Sequence, residues 1–173
     1  MRAALRTNRI RSALAIAALV VAPVSALLGG CSERTPAPTF SYTLLDGQKA
    51  DFSSMRGKVV LVNFWATSCT TCVHEMPQIV ATQKLFAGKG FETLAVAMSY
   101  DAPAYVSNFA ESRKLPFGVV IDNTGEIADR FGDVRLTPTT VLIDKQGRVV
   151  KRFVGEPDFD DLHTLIGQLL AEA

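Results

Sequence analysis

Cys69-Thr70-Thr71-Cys72 places two thiols about one helical turn apart. Such a pair has three chemical uses. As half of a zinc site it needs two more ligands, and the chain offers only Cys31, His74 and His163. As a purely structural disulfide it closes a very short loop, which constrains the unfolded chain least. As a redox dithiol it needs one sulfur at a helix start, where free N–H groups and about half a positive charge stabilise a thiolate. The motif sits where an apolar run, residues 59–64, meets a helical stretch, residues 70–86. That placement suits the third use: Cys69 exposed and nucleophilic, Cys72 one turn in, shielded, and able to attack a mixed disulfide. Glu75 follows Cys72 by three positions, so its side chain can approach the dithiol from the same helix. A carboxylate there raises the pKa of a neighbouring thiol and opposes the helix dipole. His74 reads as a surface residue and His163 as a distant one.

The elements that must hold this pair follow from the hydropathy pattern. Val59-Val60-Leu61-Val62-Asn63-Phe64 is a continuous β-branched and apolar run, as in a strand buried on both faces. A helix over residues 70–86 ends before Gly88 and Gly90, with Pro77 inside it. Further strands are expected at 91–99, 119–121, 139–144 and 148–154, with helices at 103–113, 124–131 and 158–170. Asp46-Gly47 between residues 42–45 and 49–52 signals a hairpin ahead of them. This order predicts an α/β domain with a central mixed sheet and helices on both faces.

Two segments carry a family resemblance. Asn63-Phe64-Trp65-Ala66-Thr67-Ser68-Cys69-Thr70-Thr71-Cys72, followed by Glu75-Met76-Pro77, resembles the active-site segment of the thioredoxin superfamily, most closely the TlpA/ResA-like extracytoplasmic thiol–disulfide oxidoreductases. Leu136-Thr137-Pro138 and the run to Asp144 are similar to that family's cis-proline loop and the strand after it. The resemblance spans roughly residues 40–172. It implies a thioredoxin-like fold with an N-terminal β-hairpin and a central βα insert at residues 91–121. It implies a Cys69/Cys72 dithiol that reduces protein disulfides and is itself oxidised to a redox disulfide, with an apocytochrome c or a metal-site thiol pair as client and a membrane-bound electron donor. No cofactor and no resident metal are expected. The resemblance further implies that the backbone beside Pro138, at Thr137, pairs with a substrate strand. Trp65 is expected to shape a flat docking surface, and Glu75 to move protons or tune the cysteines. Two departures stand out. The dipeptide between the cysteines is Thr-Thr, preceded by Ser68. Where cytoplasmic thioredoxins usually carry an Asp, this chain has Asn63, an amide that cannot take up and release a proton at neutral pH; any general base must lie elsewhere, and Glu75 is the nearest candidate.

The chain has 173 residues and a net charge of +1, unevenly spread. Arg2, Arg6, Arg9 and Arg11 precede an uncharged run, residues 13–28, that Pro23 interrupts. This reads as a secretory signal rather than a spanning helix, which needs about 20 apolar residues. Leu28-Gly29-Gly30-Cys31 resembles the lipobox of bacterial lipoproteins, in which the Cys is acylated and becomes the N-terminus. The domain reading is a signal peptide at 1–30, a Pro-bearing tether at 31–38 and a thioredoxin-like domain at 39–173. The protein is then periplasmic and held on a membrane through a lipid on Cys31, or alternatively signal-anchored in the inner membrane. Beyond residue 30 the chain has 14 basic and 17 acidic side chains, which does not suit a nucleic-acid binder. Two other functions use the same cysteines. A Cu(I) chaperone would add His74 and Met76 as soft ligands. A peroxidase of related fold would need a Pro at a fixed distance before the reactive Cys, and that Pro is missing.

Overall fold

The computed structural model describes residues 34–172. Its elements run β1 (Thr35–Pro36), β2 (Ser41–Thr43), β3 (Lys49–Asp51), a 3-10 turn (Phe52–Met55), β4 (Val59–Trp65), α1 (Thr70–Phe86), β5 (Phe91–Ala97), α2 (Pro103–Arg113), β6 (Gly118–Ile121), α3 (Glu126–Arg130), β7 (Thr139–Ile143), β8 (Arg148–Val154) and α4 (Phe159–Ala171). Every residue of β4 is buried, because helices or loops cover both of its faces. The strand order is β1-β8-β7-β4-β5-β6, with β4, β5 and β6 parallel to one another and β7 antiparallel to β4. The mixed sheet expected from the sequence is present.

Alternation along β4 divides the core in two. Val60, Val62 and Phe64 face a layer built from Phe40, Phe52, Phe131 and Ile127 of α3. Val59, Leu61 and Trp65 face Ile79 of α1, Val106 of α2 and Leu162, Ile166 and Leu169 of α4. Each fully buried Leu or Ile contributes about 1.5–3 kcal/mol relative to exposure. Asp158 starts α4 by accepting the N–H groups of Asp160 and Asp161, both at 3.0 Å. The hairpin β2–β3 turns at Gly47, whose φ of 85° few other residues adopt. It forms its own two-stranded sheet and touches the main sheet through a bridge from Leu44 to Val120.

Residues 35–37, expected within a tether, are paired to the sheet. Thr35 and Pro36 pair with Val149 and Arg148 as an edge strand, and Ala37 donates its N–H to Gly147 O at 2.9 Å. An edge position suits Pro36, which has no N–H to offer a further neighbour. Arg34 fixes the entry. Its guanidinium meets Asp144 at 3.0 Å and Glu172 at 2.7 Å, and Arg148 Nε reaches the same Asp144 at 2.8 Å. Burial works to raise the Asp144 pKa, but hydrogen bonds from the Arg148 N–H and from Arg34 hold it below the usual carboxylate value. Residues 34–38 therefore belong to the folded body. The expected signal peptide, the lipobox and Cys31 lie outside the described residues.

Candidate active site

The chain leaves the buried end of β4 at Trp65 and turns through residues 66–68 into α1. Cys69 is the N-cap of that helix, and its sulfur accepts the N–H of Cys72 at 3.1 Å. The sulfurs of Cys69 and Cys72 are joined in a disulfide, with the Cα atoms 5.2 Å apart. Cys69 is half-buried while Cys72 is wholly buried. The two intervening threonines are exposed. This is the asymmetry that a dithiol exchanger needs: one sulfur reachable, the other directly behind it. The N–H that caps on Cys69 sulfur in the disulfide would also stabilise a thiolate at the same atom after reduction.

The loop before Cys69 is pinned by a residue that the sequence reading missed. Asp101, buried just beyond β5, accepts the Thr67 N–H at 2.5 Å and the Thr67 hydroxyl at 2.6 Å. Only its place at the C-terminal end of a neighbouring parallel strand could have flagged it.

Thr137–Pro138 is a cis peptide, as the resemblance implied. Thr139 pairs with Phe64, so the proline stands across from Trp65, where β4 runs into the dithiol loop. Pro138 O accepts the Gly155 N–H at 2.8 Å, and Thr137 Oγ1 lies 3.1 Å from the Tyr100 hydroxyl. Leu136, Tyr100 and Val154 are exposed around this loop.

Glu75 is fully buried on the inner stripe of α1 with Cys72, Met76 and Ile79. Its Oε1 accepts from Asn63 Nδ2 at 2.9 Å, and the same amide donates to Thr140 Oγ1 at 3.1 Å. Neither Glu75 Oε2 nor Asn63 Oδ1 has a hydrogen-bond partner among the described residues. Burial pushes the Glu75 carboxyl up from 4.5 to about 7. The Asn63 hydrogen bond pulls against this, and the negative charge of Glu156 adds to it. The residue that replaces an acid on β4 thus holds an acid supplied by α1. Thr140, on β7, completes this trio and was not anticipated.

Trp65 departs from expectation. It is completely buried, with its ring 5.0 Å from that of Phe109 on α2, so it forms core beneath the site rather than a docking surface. A strand covered on both faces leaves no outward position for it. His74 is exposed, with Nδ1 3.3 Å from Glu156 Oε2. Met76 is buried in the core, which withdraws it from the ligand set of a copper carrier. His163 packs on Phe86 and meets Thr82 Oγ1 at 2.8 Å, away from the dithiol. Among the described residues, no three His, Cys, Asp or Glu side chains cluster in a way that could hold a metal ion.

Fold and site together define a dithiol protein of thioredoxin architecture. The Redoxin family model matches residues 32–166, and the chain belongs to that family. It is 35% identical to the thiol-disulfide oxidoreductase ResA of Bacillus subtilis over 100 residues, covering 58% of this chain and 55% of that protein. The chain spans little more than half the length of the curated relatives it matches. A thiol:disulfide interchange protein of the thioredoxin family from Chlorobium tepidum superposes with a TM-score of 0.74 at 30% identity, over 81% of this chain and 99% of that one. The pneumococcal exposed lipoprotein thioredoxin Etrx1 of Streptococcus pneumoniae gives 0.68 at 26% identity, over 76% and 100%.

Proposed function

We propose that this protein is an extracytoplasmic bacterial thiol–disulfide oxidoreductase that reduces protein disulfides. The observation that carries the reading is the pairing of a reachable, helix-capping Cys69 with a buried Cys72. In the reduced protein the Cys69 thiolate attacks one sulfur of a client disulfide. That S–S bond breaks, the far client sulfur leaves as a thiolate, and a mixed disulfide forms. Cys72 then loses its proton and attacks Cys69. The second client thiolate departs, and two electrons have passed to the client. The protein is left in the disulfide state seen here. Glu75, one turn along the buried face and titrating near neutrality, takes the Cys72 proton. A client segment docks as an extended strand beside Thr137–Pro138, over Leu136 and Tyr100. A membrane-bound dithiol donor returns the two electrons.

The location is part of the same proposal. Arg-rich residues 1–12, the apolar run and Leu28-Gly29-Gly30-Cys31 support export and a lipid on Cys31, and a relative of the same fold is an exposed lipoprotein. An extracytoplasmic client with an accessible cysteine pair, such as an apocytochrome c or a metal-site thiol pair, fits the dithiol. Trapping tests the reading. Full-length Cys72→Ser should accumulate mixed disulfides through Cys69 that dithiothreitol releases, and Cys69→Ser should accumulate none. Equal trapping by both variants would overturn the role assignment.

A further inference from the structure

Charge is polarised along the sheet axis. Glu156, Asp158, Asp160 and Asp161 gather where β8 hands over to α4. This is the dithiol end, since His74 meets Glu156 and Gly155 bonds to Pro138. The opposite end is basic. Lys84 and Leu85 lie on the last turn of α1, Lys89 follows in the loop, Lys114 ends α2, and Arg56 precedes β4, all of them exposed. Of the acids there, Glu92, Asp144 and Glu172 already engage Lys58, Arg34 and Arg148, while exposed Asp46 of the hairpin turn and Glu111, one turn back on α2, line a groove with Lys114 and offset part of its charge. Val59 N–H bonds to Gly90 O and Gly57 N–H to Lys145 O, which brings these loops together at one pole. The chain also enters the fold at this pole, because β1 pairs at Arg148 and Val149. From Cys69 to the end of α1 is 17 residues of helix, about 25 Å. Cys31 precedes Arg34 by three residues, a reach of about 10 Å at most.

We propose that this basic end seats on an anionic phospholipid surface, which holds the dithiol about 25 Å from the membrane and facing away from it. Lysines within a Debye length of anionic headgroups are attracted to them, and half-exposed Leu85 adds an apolar contact. The inference rests on the anchored reading above. It narrows the partners: a donor or client must carry its thiols on a part that rises well clear of the bilayer, and thiols at the headgroup level are out of reach.

Hydrogen exchange of the full chain, taken up into phosphatidylcholine vesicles with and without phosphatidylglycerol, tests it. Three lysines at the surface shift the seated population on the order of 100-fold. Backbone amides of residues 87–90 and of Lys114, Leu115 and Phe117 should therefore exchange at least severalfold more slowly on the anionic vesicles, and those of residues 66–68 should not. Lys84→Glu with Lys89→Glu and Lys114→Glu, or high salt, should abolish the protection while leaving turnover of a soluble disulfide unchanged. If the chain floats with both vesicles and residues 87–90 exchange alike on them, the seating is wrong while the anchoring stands. Protection of residues 66–68, or protection of 87–90 only when a membrane protein is included, also overturns it. If the chain fails to float with phosphatidylcholine vesicles at high salt, the anchoring fails. Protection of residues 87–90 on anionic vesicles at low salt then still supports the seating, and its absence there overturns it.

Discussion

The effect of Glu75→Gln on stability should depend on pH, moving in the variant's favour as pH rises. A buried carboxyl whose pKa rises from 4.5 to about 7 on folding favours its protonated form in the folded state. Below 4.5 the group is protonated whether the chain is folded or not, and it makes no difference to stability. Between 4.5 and about 7 the unfolded chain releases the proton and the folded one keeps it, so rising pH favours unfolding. Above about 7 the full penalty is present. At 1.36 kcal/mol per pKa unit that interval is worth about 3 kcal/mol. Gln keeps the acceptor for Asn63 Nδ2 and removes the titration. Its buried N–H groups add a cost of about 1–3 kcal/mol that does not vary with pH. The readout is therefore the change in the wild-type minus variant difference, from urea unfolding with the disulfide intact, at about pH 4 and about pH 8. The variant should gain about 3 kcal/mol on the wild type between the two. A difference that is the same at both pH values would refute the assignment of a buried carboxyl titrating near neutrality.

Three further outcomes are expected. Asp101→Ala strips the charged acceptor from Thr67 N–H and hydroxyl, costing about 2–3 kcal/mol, and amide exchange at residues 66–68 should quicken. Asp144→Ala leaves Arg34 and Arg148 without their buried partner; a loss of about 3 kcal/mol should appear with faster exchange at Thr35 and Ala37. This Asp144 contribution is present above its ordinary pKa of 3.8 and fades as pH falls through its lower folded value. Asn63→Ala removes the hydrogen bond that restrains the Glu75 pKa, so a carboxyl carbon titration by NMR should show its midpoint rising above the wild type's.

Much of this was legible in the residues. Runs such as Val59-Val60-Leu61-Val62 admit few readings other than a central strand, and a CxxC at the end of one admits few other than a redox pair. What escaped depends on distant partners. Thr35–Pro36 is two residues long with exposed side chains, and its place comes from Arg34 meeting Glu172, 138 positions away. Asn63 is visible as a missing acid, but its function is set by Glu75 and by Thr140, 77 positions on. Trp65 was misread because motif position suggested a surface while the continuous apolar run, followed one residue further, required burial. The hairpin's turn was plain from Asp46-Gly47, but nothing local says whether it joins the main sheet or stands beside it.

The central claim is that the two sulfurs are unequal, one presented at the helix tip and one enclosed. A brief pulse of iodoacetamide on the freshly reduced full chain near pH 7, with peptide mass spectrometry, tests it directly. The account predicts carbamidomethylation at Cys69 while Cys72 stays unmodified; labelling of Cys72 first, or of both at equal rates, would contradict it.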